Sequence, residues 1–217
     1  MNIAIDIDDT LTESFDYFLP FVAEYFGADV NELKEQNISY SNLPLRWKKQ
    51  ELEFCKTYYD TIVPDTPFKS DAVWGINSLR ALGHKIIIIT GRTKAFYTEP
   101  YKTTIKELEN GEIVYDKLIC TLDKAKACID ENISVLIDDM PANCESAVRI
   151  GIPALLFDSK ANREKETECI RVKNWAEAVE NVKQIEQGYP NREVAERLLK
   201  EAEAINRDSV KAFFESY

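Results

Sequence analysis

One histidine, His84, stands in the whole sequence, and the cysteines Cys55, Cys120, Cys128, Cys144 and Cys169 form no Cys-x-x-Cys pair. A lone histidine cannot build a multi-histidine zinc centre. Its place in Ala81-Leu82-Gly83-His84-Lys85, at a turn between a helical pattern and a strand, suits a structural or solvent role rather than a nucleophile or a triad base. The cysteines, odd in number and widely spaced, read as free thiols of a reducing cytoplasm, not as a disulfide frame. Positive charge is also scarce: 27 Lys and Arg against 38 Asp and Glu leave a formal charge of −11. General binding to a nucleic-acid polymer is thereby excluded, because it needs basic surface to displace counterions. Long apolar runs are missing as well. The run Ile86 to Ile89 is far too short to cross a bilayer, so no membrane partner is expected. The opening Met1-Asn2-Ile3-Ala4-Ile5-Asp6 has no basic segment and no cleavable apolar stretch, so no export signal is expected and a cytoplasmic location is.

What remains is globular. A hydrophobic share of 45% over 217 residues suffices for one domain with a real core and a small insert. Short apolar runs (Asn2 to Asp6, Lys85 to Thr90, Lys117 to Cys120, Val135 to Asp138, Ala154 to Asp158) end in polar residues and suit strands buried on both faces. Helical periods lie between them, at Asp71 to Leu82, Tyr101 to Asn110, Asp123 to Glu131 and Ala142 to Ile150. This alternation predicts an α/β fold, a doubly wound parallel sheet, with ligands at the carboxyl ends of the strands.

Residues 13–69 break the alternation and read as a helical cap inserted after the first strand: Phe15 to Phe26, a piece near Asn31 to Glu35, and Arg46 to Tyr59, punctuated by Pro20, Pro44, Pro64 and Pro67. Residues 1–12 and 70–187 then form the core. Residues 188–217 read as a helix with Val194, Leu198, Leu199, Ala202 and Ile205 on one face, docked on the core or at a homodimer contact.

The first strand ends Asp6-Ile7-Asp8-Asp9-Thr10, and another predicted strand ends Asp138-Asp139. Neighbouring buried carboxylates repel and resist desolvation. An N-cap role at Asp9 or Thr10 explains one of them, not the alternate pair Asp6 and Asp8. Two acidic clusters on one sheet edge make an all-oxygen site for a hard cation, with Mg²⁺ the best match. Thr90-Gly91, after the isoleucine strand, offers a hydroxyl and backbone N–H groups to a phosphoryl oxygen. Lys124, disfavoured by the dipole in a first helical turn, gains a reason if it neutralises carboxylates and phosphate. Each of these alone is common; a turn or a solvated lysine is the plainer reading.

The ordered set resembles the haloacid dehalogenase superfamily of phosphohydrolases. Asp6-Ile7-Asp8-Asp9-Thr10 matches the first motif, Thr90 the second, Lys124 the motif lysine with Lys117 as the alternative, and Asp138-Asp139 the acidic fourth motif. Within it, the short helical cap, Tyr115-Asp116-Lys117-Leu118-Ile119 and Ile137-Asp138-Asp139-Met140-Pro141 are similar to the cytosolic 5′(3′)-deoxyribonucleotidases and their bacterial relatives.

The resemblance implies a Rossmann-like core and a Mg²⁺-dependent phosphomonoesterase. Asp6 would be the nucleophile and Asp8 the general acid, then base. The metal would be held by Asp6, the Asp8 carbonyl and Asp138 or Asp139, and the phosphate by Thr90, Gly91 and Lys124. Arg92 could reach the phosphate or form an ion pair. The substrate implied is a nucleoside monophosphate, with Phe18 or Trp47 of the cap as candidates to stack on the base; a sugar or small-metabolite phosphate and a non-catalytic binding module are the alternatives.

Overall fold

The four isoleucines from Ile86 to Ile89 alternate between two separate cores, and that alternation explains why the strand reads as one unbroken apolar run. In the computed structural model, which describes residues 1–36 and 44–188, Ile86 and Ile88 face one side of a sheet and Ile87 and Ile89 the other. The sheet has six parallel strands: β1 (Asn2–Ile5), β2 (Lys85–Thr90), β3 (Lys117–Cys120), β4 (Val135–Asp138), β5 (Ala154–Phe157) and β6 (Ile170–Val172). Their order is β3-β2-β1-β4-β5-β6, so the chain reverses its winding between β1 and β4. Open α/β sheets place their ligand crevice at such a switch point.

Helices cover both faces. On one side α5 (Ala72–Ala81) and α9 (Trp175–Glu186) press Ile76, Leu79, Trp175, Val179 and Val182 onto Ile3, Ile5, Val135, Ile137, Leu155 and Phe157. On the other, α7 (Lys124–Asp130) and α8 (Pro141–Arg149) bring Ala127, Cys128, Cys144 and Ala147 onto Ala4, Leu136, Ala154 and Leu156. Burying each large aliphatic side chain contributes roughly 1.5–3 kcal/mol. α6 (Pro100–Asn110) follows β2.

The insert runs through α1 (Ser14–Phe26), α2 (Val30–Glu35), α3 (Leu45–Lys48) and α4 (Glu51–Ile62), ending in a 3₁₀ turn at Val63–Asp65. It has its own aromatic core, with Phe26 stacked on Trp47 at 4.7 Å. Its two crossings run side by side: Glu13 N–H donates to the Pro67 carbonyl at 2.8 Å, and Thr12 bridges to Phe68.

Three features depart from the sequence reading. α1 continues through Pro20, whose ring lies on the exposed side. The helix expected from Arg46 to Tyr59 breaks at Lys49–Gln50 into α3 and α4. β6 and α9 were not anticipated. The helix expected over residues 188–217 lies outside the described residues. Among the described residues no helix is long and apolar enough to cross a membrane.

Candidate active site

β1 is hydrogen-bonded to β2 on one side and to β4 on the other, with Ile5 opposite both Ile88 and Ile137. The next residue, Asp6, donates its N–H to the Ile137 carbonyl at 2.9 Å, which sets its carboxylate beside the end of β4. The chain then turns sharply. Three successive N–H groups, of Thr10, Leu11 and Thr12, converge on the Ile7 carbonyl at 2.8–3.2 Å, and Asp9 takes φ 55°, a left-handed conformation that Asp tolerates better than most residues. Asp9 also caps α1 from a distance, accepting the Phe15 N–H at 3.1 Å.

Asp6, Asp138 and Asp139 are all buried, and each offers an oxygen within 4.8 Å of the others. One side chain counters them directly: the Lys124 ammonium lies 2.6 Å from Asp6 Oδ1 and 2.6 Å from Asp138 Oδ2. Burial pushes the Asp6 carboxyl up to about 7; Lys124 opposes this, and Asp138 and Asp8 add to it. Burial and the neighbouring Asp138 hold Asp139 well above the usual range. For Lys124, burial alone would lower the pKa, but Asp138 and Asp6 outweigh it and raise it. Three carboxylates thus share one ammonium. An all-oxygen donor set with surplus negative charge fits a hard divalent cation, and Mg²⁺ suits it.

The Asp138–Asp139 loop is tied down from outside. Asn143 donates to both Asp138 oxygens at 3.1 Å, and the Met140 N–H donates to Oδ1 at 2.8 Å. Ser159 donates to Asp139 Oδ2 at 3.1 Å, and Asn162 holds the Asp139 carbonyl at 2.6 Å. Arg171, on β6, braces Asn162 and Asp158.

Asp8 stands apart from this trio. Arg92 grips it with two hydrogen bonds, Nη2 to Oδ1 at 2.8 Å and Nε to Oδ2 at 3.0 Å, and Ser14 donates to Oδ1 at 2.8 Å. Burial alone would raise its pKa, but the Arg92 charge and hydrogen bonds win, so the carboxyl sits below its usual value. Arg92 is therefore in an ion pair, shared with Glu107. Thr90 is fully buried, and its hydroxyl has no hydrogen-bond partner among the described residues. A buried polar atom left unpaired costs roughly 1–3 kcal/mol, which a ligand oxygen would offset.

A cavity of about 340 Å³ opens above these groups, lined by Asp6, Asp8, Gly91, Lys124, Asp139 and Asn143 below and by Phe18, Tyr59, Phe96, Tyr97, Leu122 and Met140 around. A Cβ at Gly91 would meet only Leu122, at 3.6 Å, so space does not demand glycine there. Phe18 lines this cavity; Trp47 does not, being buried against Phe26 inside the insert. Lys117 opens β3 at the opposite, amino edge of the sheet and pairs with Glu131 at 2.6 Å. His84 is buried away from the site, 3.3 Å from the terminal amine. Sequence reasoning missed Asn143, Ser159, Asn162, Arg171, Ser14 and Glu107. Asn143, five residues past Asp138 on the opening turn of a predicted helix, is the one that local spacing could have flagged.

Comparison with known proteins places this geometry. The family described as "5' nucleotidase, deoxy (Pyrimidine), cytosolic type C protein" matches residues 1–186. Comparison with curated proteins found no match. Among solved structures, a predicted phosphatase from Clostridium acetobutylicum aligns with TM-score 0.58 at 15% identity, covering 84% of this chain and 98% of its own. A HAD family hydrolase from Deinococcus radiodurans R1, with bound phosphate and sodium, aligns with TM-score 0.58 at 12% identity, covering 82% and 92%. A haloacid dehalogenase-like hydrolase from Streptococcus pneumoniae aligns with TM-score 0.55 at 13% identity, covering 83% and 97%. At these identities the likeness concerns the fold.

Proposed function

The chain belongs to the cytosolic type C family of deoxy (pyrimidine) 5′ nucleotidases, within the fold of the haloacid dehalogenase-like hydrolases, and from that premise we propose that it hydrolyses nucleoside monophosphates through an aspartyl-phosphate on Asp6. One observation carries this reading. The Asp6 carboxylate lines a cavity together with Lys124 and Asp139, Asp138 is bound to the same ammonium, and the hydroxyl of Thr90, at the end of the neighbouring strand β2, is buried and unpartnered.

Asp6 Oδ attacks phosphorus while the bond from phosphorus to the ester oxygen breaks, and that oxygen leaves with a proton from Asp8. Water then attacks the same phosphorus and yields a proton to Asp8. The bond to Asp6 breaks, and phosphate departs. Asp8, an ionised acceptor here, is ready for the second step. Proton uptake for the first is favoured by the approaching phosphate, whose negative charge raises the pKa of a nearby carboxylate. Thr90 and the Gly91 backbone hold equatorial oxygens, and Lys124 neutralises one of them. Asp6, the Asp8 carbonyl, Asp138 and Asp139 would hold Mg²⁺, which supplies charge neutralisation to the transferring phosphoryl group.

The upper wall supports a leaving group that carries an aromatic base. Phe18, Tyr59, Phe96 and Tyr97 bound the cavity, and a base can stack against such faces. A phosphate-release screen over deoxy- and ribonucleotides and sugar phosphates, with and without Mg²⁺, tests the proposal. Selective, metal-dependent release from nucleoside monophosphates is expected. Preference for sugar phosphates would overturn the substrate, and silence over the whole panel would overturn the enzyme.

A further inference from the structure

Glu107, on α6, has no exposed surface, and none of the chemistry above uses it. Both its oxygens face Arg92: Oε1 accepts from Nη2 at 3.2 Å, and Oε2 accepts from Nη1 in a close ion pair. The guanidinium is itself buried and commits its other edge, Nε and Nη2, to Asp8. Four of its five N–H donors are therefore spent on two carboxylates. Because the fork is planar and rigid, holding one edge fixes the direction of the other. Glu107 orients the guanidinium, and the guanidinium orients Asp8.

Hydrogen bonds extend this chain beyond Asp8. Ser14 donates to Asp8 at 2.8 Å and is joined to Thr12 at 2.7 Å. Ser14 opens α1, where the chain enters the helical insert, and Thr66, whose hydroxyl donates to the Val63 carbonyl at 2.8 Å, follows the 3₁₀ turn where it leaves. The line Glu107–Arg92–Asp8–Ser14 therefore ties the carboxylate that faces the cavity to the start of the helical insert. We propose that Glu107 is a positioning residue: acting through Arg92, it fixes the orientation of the Asp8 carboxylate. This rests on the reading of Asp8 as the carrier of the leaving-group proton. A pair that served stability alone would not need to grip Asp8 with two bonds.

The test compares two esters on the Mg²⁺-loaded full chain: an alkyl phosphate that the release screen shows to be turned over, and 4-nitrophenyl phosphate, whose leaving group departs without a proton. The measured quantity is kcat/KM, which stops at the first irreversible step and so excludes hydrolysis of the phosphoenzyme. For Glu107→Gln, a loss of about 10- to 100-fold is expected on the alkyl ester, the scale of an outer partner of an active-site ligand. The loss on the nitrophenyl ester should be several-fold smaller. Asp8→Asn runs alongside and should show the same split, larger. If Asp8→Asn splits the esters and Glu107→Gln slows both equally, the positioning role falls and the proton carrier stands. If Asp8→Asn does not split them, both readings fall. Should Glu107→Gln fail to fold, Arg92→Lys, which keeps the charge but not the fork, carries the same comparison. Equal losses on both esters there would overturn the inference.

Discussion

The ammonium of Lys124 reaches Asp6 Oδ1 at 2.6 Å across 118 residues of chain, while the same nitrogen holds Asp138. Replacing it with an apolar side chain strands two buried carboxylates. For Lys124→Met in the absence of metal, a loss of about 3–5 kcal/mol is expected, the cost of breaking a buried pair on one side, with partial recovery on adding Mg²⁺. Urea denaturation with and without Mg²⁺ measures both. A variant as stable as the parent would show that the ammonium does not hold the cluster together.

Asp6→Asn should abolish turnover of an aryl phosphate and leave no phosphoryl group on the chain, because the amide is too weak a nucleophile to replace the carboxylate. Intact-mass measurement after quenching with substrate reads the adduct. Residual turnover near the parent rate would remove the covalent route.

Asp6 is raised to about 7 and Asp139 is also raised well above the usual range, whereas an unfolded aspartate titrates near 3.9. Between about pH 4 and 7 the native state therefore binds more protons than the unfolded one, and this contribution to stability is lost as pH rises through 7. A metal needs the ionised groups, so protons compete with it on the acid side. The rise in melting temperature on adding Mg²⁺ should thus grow from about pH 5.5 to pH 8. A larger rise at the acid end would contradict the assigned ligands.

Gly75 lies in α5 against Trp175, and an added Cβ would stand 2.6 Å from the indole ring. Alanine is the better helix former by roughly 1 kcal/mol. Overpacking a rigid aromatic costs about 1–3 kcal/mol. The clash should win, so Gly75→Ala should lower stability, as a urea midpoint would show. A stabilised variant would mean that α9 yields.

The neighbouring Cys144 thiol lowers the Cys169 pKa to about 7, while burial pushes Cys55 and Cys128 up to about 11. Cys169 also lines a cavity of about 640 Å³ on a separate part of the surface. Iodoacetamide should therefore label Cys169 first, with a rate half-maximal near pH 7, and Cys144→Ala should move that midpoint upward. Peptide mapping across pH reads both. First labelling at Cys55 or Cys128 would count against this order.

Much of this was legible along the chain because it is local. Ile86 to Ile89 announces a strand buried on both faces, and a strand ending in Asp6 or Asp138 declares its own edge. The rest depends on distances that only folding sets. Ser159 and Asn162 reach the Asp139 loop from a loop 20 or more residues away, and Arg171 braces Asn162 from a three-residue strand too short to leave a periodic signal. Trp47 and Phe18 share one composition-level description, yet one packs inside the insert and the other faces the cavity. Glu107 reads as one more polar residue of an amphipathic helix, and only its Arg92 partner gives it meaning.

β1 has neighbours along both edges, so its amides can exchange with deuterium only when the whole sheet opens. The nucleophile at its end rides on a strand held along both edges, while Phe18 and Tyr59 of the aromatic wall belong to the insert, which packs around a core of its own. Heating should therefore blur the choice among substrates before it silences the chemistry.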